Sequence, residues 1–512
     1  MSIRRVVSIL IALSIFSSCL NKSRVTECVN PVIFSDVPDA QIVHVDSMFY
    51  LFSSSDYTSR GIHFISSNDL VHWKPSGRIY EPDYASTPMK CVSVIERDGV
   101  IYVMYYSLDA GRNVLYSTDS ISDGEWDVSM LESSYQCGSL FFESGRLYFV
   151  YAEEGHILLK ELETDFNPSE GQPSEVITSY VSDKEISHPS IHHIGEWYYL
   201  LLTEQDDKHY SRQLCGRSKE LSGEYQFNVV LDGVYEYIEQ GQAMSSLFET
   251  YKGNWYAMCG IKLGAYGYGV ALQPVTWKDG WPIMGEKTSP VKSFKVRLGS
   301  HPEEDRLFED EDFSDATLSE AWQILERSDS ARWSLTEKPG WLRMYSDRRS
   351  NELNDSELLL FHRVNGELVI ASTTMYIGNM KPGQYCGIAS YQGDRYAMVG
   401  VHMNRLGRKH MVWQEHVDGK LNLIYENKQL VKSDFVPLSL GFYPKYRIVD
   451  GRYKEHTYSE WNIFYPPHDL NTKNYDDLFG MRLALFNYTT GETGGSADFD
   501  GVQFQHVNEI DR

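Results

Sequence analysis

The chain has 512 residues, with 47 Lys and Arg set against 71 Asp and Glu and a formal net charge of −24 at pH 7. An acidic chain with no basic stripe does not neutralise phosphates, so nucleic acid is excluded as a partner, while the length suits two or three domains with large cores. Thirteen per cent of the residues are aromatic, including 35 Tyr and 11 Trp, which suits all-β architecture and permits stacking on sugar faces.

At the N-terminus Arg4 and Arg5 precede an apolar run over residues 6–16. That run is short for a membrane span and fits a signal peptide. It ends Phe16-Ser17-Ser18-Cys19, which resembles a bacterial lipobox and implies lipidation of Cys19; the alternative is an ordinary cleaved signal peptide with an incidental cysteine. The expected organisation starts with a lipoprotein signal over residues 1–18 and a polar lipidated tether over residues 19–28. The protein is then an exported bacterial lipoprotein, anchored at the periplasmic face or the cell surface and touching membrane only through its lipid.

From there one hairpin recurs five times over the next 230 residues or so, as DSMFYLF, DGVIYVM, SGRLYFV, GEWYYLL and KGNWYAM around Tyr50, Tyr102, Tyr148, Tyr198 and Tyr256. Gly99, Gly145, Gly195 and Gly253 supply the positive φ of tight hairpin turns. The spacing of 46 to 58 residues predicts four-stranded blades of a five-bladed β-propeller over residues 29–298. Each repeat closes on an aromatic, Trp73, Trp126, Phe166, Tyr225 or Trp281, read as packing between blades. Eleven residues before the tyrosines stand Asp39, Cys91, Cys137, Ser187 and Ser245. If the innermost strands begin there, these five ring the axial pocket with one carboxylate among them.

Residues 299–312 (GSHPEEDRLFEDED) carry seven acidic side chains without periodicity and read as a solvated linker. Beyond them, over residues 313–512, eight or more short alternating segments without the repeat predict a β-sandwich. No transmembrane helix is predicted. The cysteines lack C-x-x-C spacing, so a zinc site is not expected; Cys91 and Cys137 are the pair the blade register brings nearest, with buried free thiols as the default.

The opening NPVIFSDVPDAQIVHVDSMFYLFSSS, the later SSNDLVHW and the closing ALQPVTWKDGWPIMG closely resemble glycoside hydrolase family 43, in its β-xylosidase and α-L-arabinofuranosidase branch. GWLRMYS, MKPGQYCGIASYQ and SADFDGVQF resemble that branch's concanavalin A-like sandwich. The resemblance implies inverting hydrolysis of xylose- or arabinose-containing plant oligo- or polysaccharides, with a general base, a general acid and a third carboxylate that tunes the acid. It implies no required cofactor and allows calcium. By motif, Asp39 of VPDAQ is the base.

The other positions depart from the family. QCGSLFF puts Cys137 at the tuning aspartate, SHPSIHHIGEWYYLL puts Ser187 at the acid, and KCVSV puts Cys91 into an altered blade-two segment. AYGYG puts Tyr268 at a sugar-gripping arginine, and Ala243 or a neighbour stands at an axial histidine. A serine does not protonate a leaving glycosidic oxygen at neutral pH. Glu185, two residues before Ser187 and so on the same strand face about 6.6 Å away, is a substitute acid if burial raises its pKa, and otherwise a solvated loop glutamate. His188 and Ser245 are further pocket candidates, Asp36 is expected at the pocket floor, and Glu204 is read as architectural. Two functions stand side by side: a glycosidase with Asp39 as base and a non-standard acid, and a carbohydrate-binding pseudoenzyme that kept the fold and lost the chemistry. An interaction scaffold is a weaker third.

Overall fold

The computed structural model describes residues 25–55, 61–79, 88–180, 182–208, 210–235, 241–298, 307, 309–326, 332–366, 369–393, 395–417, 419–426, 430–442 and 480–506. Cys19 and the signal segment lie outside the described residues, as does much of the acidic stretch 299–312. Among the described residues no helix is long and apolar enough to cross a membrane.

Five four-stranded antiparallel sheets follow one another along the chain. Sheet 1 is built from Gln41–Val45, Met48–Phe52, Ile62–Ser67 and Lys74–Ile79, and sheet 2 from Met89–Arg97, Val100–Ser107, Arg112–Thr118 and Asp127–Met130. Sheet 3 comprises Ser139–Glu143, Arg146–Glu153, His156–Leu162 and Glu175–Ser179; sheet 4 comprises Glu185–Ile194, Trp197–Gln205, Ser211–Ser218 and Gln226–Leu231. Sheet 5 comprises Gln242–Glu249, Trp255–Lys262, Tyr268–Lys278 and Trp281–Met284. The hairpin glycines adopt the left-handed conformation that the sequence requires, with φ between 65° at Gly195 and 84° at Gly145.

Alternating apolar residues on both faces of each sheet let neighbours pack face to face, and five apolar seams result. Phe52, Phe64, Val103 and Tyr105 join sheets 1 and 2, and Met104, Leu115, Leu147 and Phe149 join sheets 2 and 3. Val150, Ile157, Leu200 and Leu202 join sheets 3 and 4, and Tyr199, Leu201, Ala257 and Cys259 join sheets 4 and 5. Phe49 and Leu51 meet Met258 and Leu272, so sheet 5 returns to sheet 1, and the hydrogen bond from Ser246 Oγ to Gln41 Oε1 (2.8 Å) fastens that last seam. The result is a closed ring of sheets with their first strands innermost.

Two further sheets form a sandwich. A seven-stranded sheet contains Trp322–Glu326, Leu358–Arg363, Arg482–Thr489, Gln384–Gln392, Arg395–Met403, Lys409–Val417 and Lys420–Glu426, and a five-stranded sheet contains Trp333–Ser334, Leu342–Ser346, Gly495–His506, Val369–Tyr376 and Phe435–Phe442. Leu360, Ile388 and Leu485 from the first meet Met344, Ala371 and Phe499 from the second, and the same apolar cluster runs on into Leu263, Tyr266 and Ala271 of the ring. Among the described acidic residues, Glu311 pairs through its backbone with Val502 and Asp310 Oδ1 accepts from Phe504 N, so that segment lies along the last sandwich strand.

Candidate functional site

Each of the five sheets has, just before or within the opening residues of its first strand at the ring's inner rim, one residue in the left-handed region, rare for anything but glycine. These are Asp39 (φ 53°), Cys91 (55°), Cys137 (47°), His188 (50°) and Met244 (51°). In sheets 2, 4 and 5 the residue opens a bulge, where register shifts between Lys90 and Ser93, Ser187 and Ser190, and Ala243 and Ser246. Bulges of this kind re-aim side chains at the edge of a sheet.

The rim corrects the eleven-residue count at two of its five positions. Two residues after the rim, Gln41 pairs with Phe52, Ser93 with Met104, Ser139 with Val150, Ser190 with Leu201 and Ser246 with Met258. In sheet 4 the residue equivalent to the repeat tyrosine is therefore Tyr199, not Tyr198, which moves the rim to His188 and leaves Ser187 beside it. In sheet 5 the hairpin is one residue longer, so the rim residue is Met244. Ser245, expected in the pocket, is buried with its Oγ 3.0 Å from Cys259 Sγ.

Asp39 is half-buried. Its Oδ2 accepts from Ser54 Oγ (2.6 Å) and from Cys91 N (3.0 Å). Among the described residues no hydrogen bond reaches its Oδ1, so one carboxylate oxygen is held and the other is not. Cys91 and Cys137 are joined in a disulfide across the rim, with their Cα atoms 4.6 Å apart; the buried free cysteines are Cys28, Cys215, Cys259 and Cys386. The default of free thiols at Cys91 and Cys137 thus gives way to a covalent link between sheets 2 and 3, beside Asp39.

Ser187 Oγ and His188 Nδ1 lie 2.9 Å apart. Burial holds the His188 imidazole below its usual pKa, while the negative charges of Asp39 and Glu185 pull the other way. Glu185 opens its strand opposite Gln205 and is exposed, as a solvated glutamate is. Tyr268 is half-buried, with Lys262 Nζ 5.7 Å from its ring centroid.

Two other carboxylates are architectural. Glu204 is buried and accepts from Tyr180 Oη (3.3 Å), Ser182 Oγ (3.0 Å), Lys184 Nζ (3.4 Å) and Arg212 Nε. Burial works to raise its pKa, but the bonds from Arg212 and Ser182 prevail and hold it below the usual carboxylate range. Asp36, expected at the pocket floor, joins the ring to the sandwich. Its Oδ1 accepts from Tyr268 N (3.1 Å), and its Oδ2 from Gly480 N (2.8 Å) and Arg482 Nη2 (3.2 Å) of the sandwich. A cleft lined by Val37, His63, Glu320, Gln323 and Arg363 opens at this joint.

Residues 28–282 match the family described as Glycosyl hydrolases family 43, and residues 310–505 match its Beta xylosidase C-terminal Concanavalin A-like domain. A non-reducing end α-L-arabinofuranosidase of Bacteroides ovatus is 30% identical over 363 residues, spanning 65% of this chain and 68% of that protein. The chain belongs to glycosyl hydrolase family 43. A β-xylosidase of Formosa agariphila is 23% identical across 93% of this chain and 90% of its own length. Among solved structures, a bifunctional family 43 protein of Bacteroides eggerthii superposes with a TM-score of 0.80 at 24% identity, covering 95% of this chain and 64% of that one. A family 43 protein of Bacillus licheniformis gives 0.80 at 19% identity, over 94% of this chain and 100% of its own. At these identities the structural likenesses establish the fold.

Among the described residues no three His, Cys, Asp or Glu side chains converge to hold a metal. Sequence reasoning placed Asp39, Cys91 and Cys137 at the rim and missed His188 and Met244 as rim residues. The Tyr198-Tyr199 doublet was the available signal for His188, since either tyrosine fits the repeat.

Proposed function

We propose that the five sheets are the blades of a propeller whose axial rim binds a plant-type glycan containing xylose or arabinose, without hydrolysing it by the family's carboxylate pair. The observation that carries this reading is the content of the rim: among its five left-handed residues Asp39 is the one carboxylate, and Cys137, at the tuning-aspartate position, is bound to Cys91. Inverting hydrolysis needs a second carboxyl about 6.5–9.5 Å from the base to protonate the leaving oxygen, and Ser187 supplies none. With Oδ2 held, Oδ1 of Asp39 is suited to accept from sugar hydroxyls, a charge-assisted bond. The relatives' names, β-xylosidase and α-L-arabinofuranosidase, motivate the choice of sugar.

The test is calorimetry with xylo-oligosaccharides and arabinofuranosyl-substituted xylo-oligosaccharides, run beside chromatographic detection of released sugar. Binding without product, weakened roughly tenfold by Asp39→Asn as a charge-assisted bond becomes a neutral one, is the expected result; the absence of binding across both ligand sets overturns it. Hydrolysis with Asp39 as base and Glu185 as acid is the second reading, favoured by the charges of Asp39 and Glu185 both bearing on the imidazole of His188. Turnover that falls at least a hundredfold in both Asp39→Asn and Glu185→Gln establishes it. We propose further that the protein is exported and lipidated at Cys19, on the strength of the residues 4–19 pattern; Cys19→Ala should then release it from the membrane fraction.

A further inference from the structure

We propose that Arg482 of the sandwich is a positioning residue for Asp39, acting through Asp36, so that the axial site is set from outside the ring. The inference rests on the reading that Asp39 is the ligand-facing carboxylate. Asp36 and Arg482 are an ion pair with side chains 2% and 3% exposed, where the planar guanidinium fork fixes geometry in a way a lysine does not. Arg482 is itself oriented by Nε donating to Gln323 Oε1 (2.8 Å) and Nη1 to Gly480 O (3.0 Å), both within the sandwich.

From Asp36 the constraint runs to the rim over three residues, at most about 11 Å of chain. Val37 N donates to Tyr268 O (2.6 Å), while Tyr268 N donates to Asp36 Oδ1, so the same joint fixes Tyr268. Ser54 N donates to Pro38 O (2.9 Å), and Ser54 Oγ donates to Asp39 Oδ2. Each of residues 36–39 is therefore held by a hydrogen bond. The approach is also tight. A Cβ at Gly480 falls 2.4 Å from Asp36 Cβ, and one at Gly267 falls 2.2 Å from Asp36 Oδ1, so glycine is required on both sides of the carboxylate. Such packing leaves Asp36 no room to relax, and a displacement there is passed along a short, pinned segment to a residue already in left-handed backbone.

A role as interdomain glue alone predicts something different. Glue changes the melting temperature and leaves the rim as it was; positioning alters the rim in a folded protein. The experiment is amide hydrogen exchange on full-length Arg482→Lys, following residues 36–54 and the Cys91 amide that donates to Asp39, with affinity for xylohexaose measured in the Asp39 and Asp39→Asn backgrounds. Exchange at those amides should rise roughly tenfold while Gln384–Gln392 stays protected. Affinity should fall roughly tenfold, with no further loss in the Asp39→Asn background, because the two residues act through one contact. Unchanged exchange at residues 36–54 and Cys91, or equal affinity losses in both backgrounds, overturns the proposal. If the unsubstituted protein binds no glycan, the proposed function fails and the exchange result alone decides this inference. Should Arg482→Lys not fold, Gln323→Leu removes only the Nε acceptor and carries the same readouts.

Discussion

Asp36 and Asp39 are three residues apart and belong to one short segment, yet their surroundings give them opposite work. Asp36 is almost wholly buried, with both oxygens engaged and Arg482 paired against its charge. Asp39 is half-buried, with one oxygen held and the other without a hydrogen bond among the described residues. The difference teaches that a carboxylate's role is legible in the partners of each oxygen, and that closeness to a site is a poor guide to membership in it.

The largest effect that tests this contrast is Asp36→Ala. It strands the Arg482 guanidinium in the joint, and breaking one side of a buried ion pair costs about 3–5 kcal/mol; chemical denaturation should show that loss, and a cost under about 1 kcal/mol would return Asp36 to a surface role. Next comes the rim disulfide, which closes a loop of 46 residues and restricts the unfolded chain by up to about 4 kcal/mol in the chain-entropy account. Cys91→Ala with Cys137→Ala should lower the denaturation midpoint by a corresponding amount and weaken glycan binding, since Cys91 N no longer sits fixed against Asp39.

Acid titration gives a graded effect. Burial pushes His63 down to about 3, aided by the positive charges of Arg78 and Arg363, and pushes His192 and His362 down to about 4. These depressed groups stay neutral in the folded protein, while the unfolded chain takes up protons first. Their contribution is present above about pH 6.5 and is lost as pH falls from there towards 4, by at most about 1.4 kcal/mol per pH unit for each histidine. Glu204, also depressed, adds to the loss only below its ordinary carboxylate range. Urea midpoints between pH 7 and 4.5 should fall steadily, and His362→Gln should flatten the slope; an unchanged slope would remove His362 from the account.

The smallest stability effect is expected at Asp39. Asparagine tolerates left-handed backbone and its amide oxygen still accepts, so Asp39→Asn should cost about 1 kcal/mol or less while weakening glycan binding roughly tenfold. A large stability loss with binding intact would invert the comparison with Asp36.

The sequence carried the repeat clearly, because hairpin turns and alternating apolar residues are local signals, and Asp39, Cys91 and Cys137 follow from it at the right positions. It carried the rim less well in sheets 4 and 5, where a tyrosine doublet and one extra hairpin residue shift the register. The ties of Asp36 to the sandwich were hidden for a different reason: its partners Gly480 and Arg482 lie 444 and 446 residues along the chain, and no periodicity connects them. The disulfide sat between these cases, named as the nearest pair while its formation depended on the approach of two separate sheets.

The five left-handed rim positions also act as a filter on which chemistry this scaffold can host. A branched Val, Ile or Thr is penalised in that conformation, whereas Gly, Asn and Asp are accepted readily. The rim therefore selects its residues by backbone tolerance before ligand affinity, and Cys, His and Met occupy sockets whose least strained occupants are Gly, Asn and Asp. Replacing Cys137 by Asp together with Cys91 by Gly is consequently a conformationally permitted edit, and it makes this protein a convenient frame for reinstalling carboxylates one at a time.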